Sequence, residues 1–396
     1  MTTDYQSTRN AQLPQLVEML QEQHVRKLDV VAPAGQIRSE EGVIVLKGTE
    51  AVIDHQGVTR VDGRYLPTPV ADEGIAEKLG VPLAYLRRLR TARPDLYDAN
   101  VNAWLHGRNP KTRLVDGEQV VIREGIPGDG RSFMLRLFRG DEGGEGILRG
   151  FLSSKYNIFD NYDVLIATLG AVRDAGINAL VDGADLTDRR MYVRIAVPEI
   201  AQLAPELLKG YRSPFSGDSG ADNPTVFAGI EIQNSEVGNG AFTITPRLVV
   251  QVCTNGLTIT RDALRAVHLG GRLDAGVIDW SDETQQRNLD LITAKTRDAV
   301  RTFLNVEYMR RAIEALTAAA TTPVTRPADT IKELGKKLAF DEATCEGVLE
   351  HFIRGGDLTA GGVMQAMTSF AQTVADGDAA HELESNAVKA MDLVTR

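Results

Sequence analysis

The stretch 226-VFAGIEIQNSEVGNGAFTITPRLVVQVCT-254 decides the fold class. It holds three apolar runs rich in β-branched residues, Val226–Gln233, Ala241–Thr245 and Leu248–Thr254. Asn, Ser and Gly separate the first two, which predicts successive antiparallel strands with short connections. Upstream, Met191, Val193, Ile195 and Val197 face one way while Tyr192 and Arg194 face the other. That alternation predicts a half-exposed strand with a polar side and an outward Arg194. Further candidate strands lie at Gln119–Arg123, Arg131–Arg139 and Ile147–Ser153, with glycine-rich Gly140–Gly146 as a hairpin connection. A helix over Asn161–Ala175 carries Val164, Leu165, Leu169 and Val172 on one side and stops at Gly176. Residues 116–275 therefore read as a central antiparallel sheet domain with helix packed on it.

Outward from this core, the pattern becomes helical on both flanks. In 1–115, Leu13, Leu16, Val17, Leu20 and Val25 mark an amphipathic helix within Asn10–Lys27, small strands and hairpins fill Asp29–Thr68, and helix returns over Asp72–Leu105. Gly80-Val81-Pro82 and Arg93-Pro94 break that last segment. Residues 281–396 read as all-helical: Ser281 caps a long helix running to Ala320, with Asp282 and Glu283 in its first turn. Thr321–Pro327 is a linker, and shorter helices follow around Asp341–Ile353, Ala360–Val374 and Ala379–Val394. The expected class is α+β, with a mixed N-terminal region, a mainly antiparallel central sheet and a helical C-terminal region.

Composition narrows the function classes. At 396 residues and 43% apolar content the chain can bury real cores. A formal charge of −10 argues against a surface that is polyanion-binding throughout. Two lone thiols, Cys253 and Cys345, fit a reducing, cytoplasmic compartment rather than a disulfide framework. The six histidines have no metal-ligand spacing with the cysteines. We expect no metal, no cofactor, no secretion signal and no membrane span.

Several segments, taken in order, resemble the phage/plasmid-like family built around domain of unknown function 932 (DUF932). They are Ile75–Pro82 with Tyr85-Leu86 and Asn100–Leu105; Phe151–Tyr156 with Asp160–Asp163; Asn234–Gly238 with Cys253–Leu257; and Leu358–Gln372. The likeness spans about Ile75 to Gln372, although the tryptophan expected near Ala360 or Gly361 is absent. The resemblance implies a mobile-element or prophage origin and no particular chemistry.

Two constellations stand out. Ala76, Gly80 and Leu86 have helix-turn-helix spacing, with Tyr85, Arg87, Arg88 and Arg90 on the second helix. Arg87, Arg88, Arg90, Arg93, Arg108, Lys111 and Arg113 face only Asp95 and Asp98 in that stretch, a local basic excess in an acidic chain. Tyr85, Tyr97 and Trp104 are aromatics that stack on unpaired bases or pack in the core, the latter favoured for Trp104. The bland alternative is a helical hairpin with solvated or paired arginines. The second constellation is Asn234, Ser235 and Glu236 with Asn255: special turns at one sheet edge, or polar groups of a ligand site. Cys253 reads as an inert strand thiol, and Asp376, Asp378 and His381 as a solvated connection rather than a metal site. No catalytic signature is present. The expectation is a non-enzymatic protein handling single- or double-stranded DNA, forming a homo-oligomer; the alternative is an oligomeric protein-binding module without nucleic acid.

Overall fold

The computed structural model describes residues 7–49, 52–54, 57–59, 61–115, 118–140, 144–156, 158–252, 256–266, 276–277 and 282–395. The chain is α+β, and its core is organised by two sheets, each of seven strands among the described residues. The one centred on Met191–Leu203, Thr225–Asn234 and Phe242–Val250 is antiparallel throughout. Leu180–Leu186 and Thr8–Ala11 extend it on one side, Gly256–Thr258 and Leu264–Ala266 on the other. Its apolar face places Val193, Ile195, Ile230, Ile232 and Ile244 in one core with the Asn161–Asp174 helix and the C-terminal helices.

The other sheet runs Gly276–Val277, Lys27–Pro33, Ser132–Phe138, Gly146–Ser153, Gly63–Pro67, Val43–Leu46, Ile37–Glu40. The expected boundary at 115/116 does not follow the sheets. Ser132–Phe138 pairs with Lys27–Pro33, and Gly146–Ser153 runs parallel to Gly63–Pro67. Pairing is dictated by which apolar face needs covering: Phe133, Leu135 and Leu137 alternate toward Val30, Ile44, Leu86, Tyr97 and Val101, far away in sequence.

Three helices, Pro69–Leu79, Leu83–Ala92 and Pro94–His106, lie on that face. The first starts with Pro69 at its first position and the Thr68 hydroxyl accepting from the Ala71 N–H. It ends at Gly80, whose φ of +66° suits glycine. Gly74 permits the close approach to the sheet, since a Cβ there would lie 2.4 Å from the Phe151 carbonyl oxygen.

The long helix expected over Ser281–Ala320 is two helices, Asp282–Phe303 and Val306–Ala320. Asn305 makes the break: its Oδ1 accepts from the Tyr308 N–H while its Nδ2 donates to the Arg301 and Thr302 carbonyls. One side chain thus caps both ends, although the apolar stripe continues across the joint. Ser281 lies outside the described residues. Four helices follow, Pro327–Leu338, Glu342–Gly355, Ala360–Ala371 and Gly377–Val394, the first of them unanticipated from sequence.

Arg194 is not outward, and its strand is not half-exposed. Arg194 is 6% exposed and Tyr192 fully buried, because the polar face of the sheet is itself covered. Arg194 donates to Asp185 on the neighbouring strand at 2.6 Å and to Asn10 at 2.7 Å, and the last helix brings His381 and Glu384 over the same face. Among the described residues no helix is long and apolar enough to cross a membrane.

Candidate functional site

Sequence places seven cations between residues 87 and 113, and the fold divides them into two kinds. Arg87 donates to the Pro69 carbonyl at 2.7 Å and to Glu73 at 3.0 Å. Arg90 reaches Asp72 at 2.6 Å and the Pro67 carbonyl at 3.1 Å. Asp72 is 1% exposed, and burial pushes its carboxyl up against the opposing pull of Arg90. Both arginines therefore tie the second helix to the start of the first, and Ala76 and Leu86 are buried between them. Arg93 forms a two-pronged pair with neighbouring Asp95. The other acidic residue, Asp98, accepts from the N–H groups of Glu41 and Gly42, holding a strand connection.

Arg88, Arg108, Lys111 and Arg113 are exposed and have no ion-pair partner among the described residues. The last two lie on a separate two-stranded hairpin, Lys111–Val115 with Glu118–Arg123, where Lys111 stands opposite Arg123. An antiparallel bridge between Arg108 and Ile126 closes its root. Gly107, φ +72°, starts this excursion, and a Cβ there would meet the Ile126 carbonyl oxygen at 2.2 Å. Near the hairpin in sequence, Trp104 is 53% exposed, against the expectation of core packing, and Tyr85 is 49% exposed; Tyr97 is buried. The hairpin shows Leu114, Val121 and Ile122 at 50–67% exposure.

Asn234, Ser235 and Glu236 are the opposite case. The strand delivers them into the joint between the two sheets, where all three are nearly inaccessible. Asn234 Nδ2 donates to the Phe159 carbonyl at 2.8 Å and to Asn161 Oδ1 at 2.9 Å. Ser235 Oγ donates to the Arg189 carbonyl, and its own carbonyl accepts from the Tyr156 hydroxyl. Glu236 accepts from Arg149 and from the Asn161 N–H, both at 2.7 Å, and Arg136 lies 3.4 Å away. The Phe151–Tyr156, Asp160–Asp163 and Asn234–Gly238 segments thus meet in one buried junction.

That junction holds Lys27, Arg136 and Arg149 against Asp29, Asp160 and Glu236. Sequence missed Arg136 and Arg149, yet the signal was present: in Ser132–Phe138, Arg136 falls on the face opposite Phe133, Leu135 and Leu137. Burial pushes Glu236 up, but Arg136 and Arg149 outweigh it and hold the carboxyl below the usual range; Arg136 and Lys27 do the same for Asp160. For Asp29 burial prevails and the carboxyl is raised. Ligand atoms of His24, Asp160 and Asp163 lie within 4.8 Å of one another. Lys27 and Arg136 already engage Asp160, so cationic charge at that spot comes from the chain itself.

Asn255 and Cys253 lie outside the described residues. Asp376, Asp378 and His381 go to three separate tasks. Asp376 accepts from the Ala379 N–H as a helix cap, Asp378 accepts from the Tyr192 hydroxyl, and His381 faces Glu231. No protein-family model, curated protein or solved structure matches this chain.

Proposed function

We propose that the protein is a non-enzymatic, nucleic-acid-handling protein of phage or prophage origin that holds the phosphate backbone on Arg108, Lys111 and Arg113, with Arg88 as a further contact. The observation carrying this reading is the division of cations: where Arg87, Arg90 and Arg93 are neutralised internally, these four face solvent on an acidic protein. Unpaired surface cations are the groups that release counterions on meeting phosphates. Exposed Trp104 and Tyr85 supply stacking faces suited to unpaired bases, which favours single strands over duplex. The engagement of Arg87 and Arg90 weighs against a recognition helix entering a groove. The ordered motifs resembling the DUF932 family support the mobile-element origin.

Binding of labelled single- and double-stranded DNA across a salt series tests the proposal. Tight low-salt binding is expected, with affinity falling steeply as salt rises. Changing Arg108, Lys111 and Arg113 together to Ala should lower the log–log slope by about 2, at roughly 0.7 per single-strand phosphate contact. Absent binding at low salt, or an unchanged slope in the triple variant, would sink it.

The exposed apolar side chains of the hairpin favour a second reading, an arm docking onto another copy of the chain. A two-stranded hairpin is marginal alone, and covering Leu114, Val121 and Ile122 would stabilise it. Light scattering on wild type and on Leu114→Asp separates the two: dissociation with DNA binding retained favours the arm.

A further inference from the structure

We propose that the groove between the Phe242–Val250 strand and the Gly377–Val394 helix is a binding site for a small phosphate-bearing ligand, held by His381 and Lys389. The groove is a polar concavity of about 470 Å³, large enough for a small molecule. Thr243, Thr245, Ser385 and Asn386 line it beside His381 and Lys389, and no carboxylate lines it among the described residues. In a chain of net charge −10, a recess with a lysine, a histidine and a ring of hydroxyl and amide groups is suited to an anion.

His381 is built into the wall. Its Nδ1 is buried, 2.9 Å from Glu231 Oε1, and Glu231 behind it is 1% exposed. The ring stacks on Tyr192 at 4.3 Å between centroids, and the Tyr192 hydroxyl donates to Asp378, one turn before His381. With Nδ1 turned to Glu231 and His381 lining the groove, Nε2 is the ring nitrogen left to donate to an oxyanion. Such a carboxylate behind a histidine orients the ring and favours its cationic form. The surrounding charges are Glu231 from one strand, Arg194 and Arg190 from and beside another, Arg247 from a third, and Asp378 and Glu384 on the same helix. Glu231 and Glu384 outweigh burial and Arg190, raising His381 above its ordinary value. Lys389 is exposed, with no ion-pair partner among the described residues. This site is separate from the hairpin and does not depend on the nucleic-acid reading.

Calorimetric titration of the full chain with inorganic phosphate, adenosine monophosphate and citrate near pH 6.5, with the His381 ring followed by NMR, tests it. Saturable phosphate binding is expected, with the His381 resonances moving on binding. Lys389→Glu, on the exposed rim, should weaken binding by about tenfold or more, and Lys389→Arg should retain it. Affinity should fall as pH rises through the His381 value. Tighter binding of the nucleotide would assign the phosphate to a nucleotide, equal binding to free phosphate. The Arg108/Lys111/Arg113 variant should bind phosphate like wild type. No saturable binding, equal affinity in Lys389→Glu, unmoved His381 signals, or citrate binding as tightly as phosphate would each overturn the proposal.

Discussion

The sheet joint and the hairpin use the same residue types in opposite ways. At the joint, Arg136 and Arg149 are 1% and 2% exposed and each meets a carboxylate delivered by a distant segment. On the hairpin and its root, Arg108, Lys111 and Arg113 stand exposed with no such partner among the described residues. The difference teaches that local charge excess says little about a partner until the neutralising groups from elsewhere in the fold are counted. Removing a joint charge should act on stability, and removing a hairpin charge on binding.

The largest expected effect tests the joint. Glu236→Ala leaves Arg136 and Arg149 buried beside a reduced counter-charge and removes an acceptor from the Asn161 N–H, so stability should fall by about 3–5 kcal/mol in urea denaturation. Changing Glu236 to Leu and Arg149 to Met together should cost less than Glu236→Ala, because no unpaired charge remains from that pair. A loss under 1 kcal/mol for Glu236→Ala would show that the joint is hydrated and not a structural lock. It would also reopen Asn234–Glu236 as a ligand site.

Within the helical hairpin the contrast recurs between residues two apart. Arg90→Ala strands Asp72 in the core and should cost about 2 kcal/mol. Arg88→Ala, at an exposed position, should change stability by less than about 0.5 kcal/mol. Equal thermal shifts in the two variants would erase the distinction between engaged and available cations on which the proposed interface rests.

The sequence shows period and face more readily than cover. Alternation in Met191–Val197 separates Val193 and Ile195 from Tyr192 and Arg194 correctly, and the Thr225–Asn234 strand follows from its apolar run. The two runs expected as separate strands, Ala241–Thr245 and Leu248–Thr254, instead form one strand, Phe242–Val250, because its pairing with Thr225–Asn234 continues unbroken through Pro246 and Arg247. What lies over the polar face is set by residues 9–10 and 381–384, at both ends of the chain, and no local pattern carries that information. For the same reason the sheet membership of Ser132–Phe138 was hidden: its pairing with Lys27–Pro33 spans about a hundred residues. The helix break at Asn305 was readable in principle, since Asn followed by an acidic first turn is a start signal, but the continuous apolar stripe masked it. At the candidate interface, residue type was legible and engagement was not. Trp104 was misjudged because an aromatic in an amphipathic helix is usually core, and here its helix turns that side chain outward.

The smallest effect separates the two buried charge sets by pH. At the joint, Glu236 is held below its ordinary carboxyl value, so its contribution is present above the unfolded value and lost as pH falls through the folded one. The arginines stay charged throughout. His381 behaves in the reverse sense. Its folded value is raised, so the stabilisation from its cationic form is complete below the unfolded value near 6.5 and is lost as pH climbs through the folded value. Glu384, also raised, acts in the same direction. His351, lowered by burial, acts in the opposite direction, so the comparison needs a variant at His381 rather than wild type alone. The stability gap between wild type and His381→Gln should therefore be wider at pH 6 than at pH 9, by roughly 1 kcal/mol for each unit by which the folded value exceeds the unfolded one. The gap for Glu236→Ala should stay constant over that range. A His381 gap that does not narrow would mean that Glu231 does not stabilise the imidazolium, removing the cationic wall from the groove.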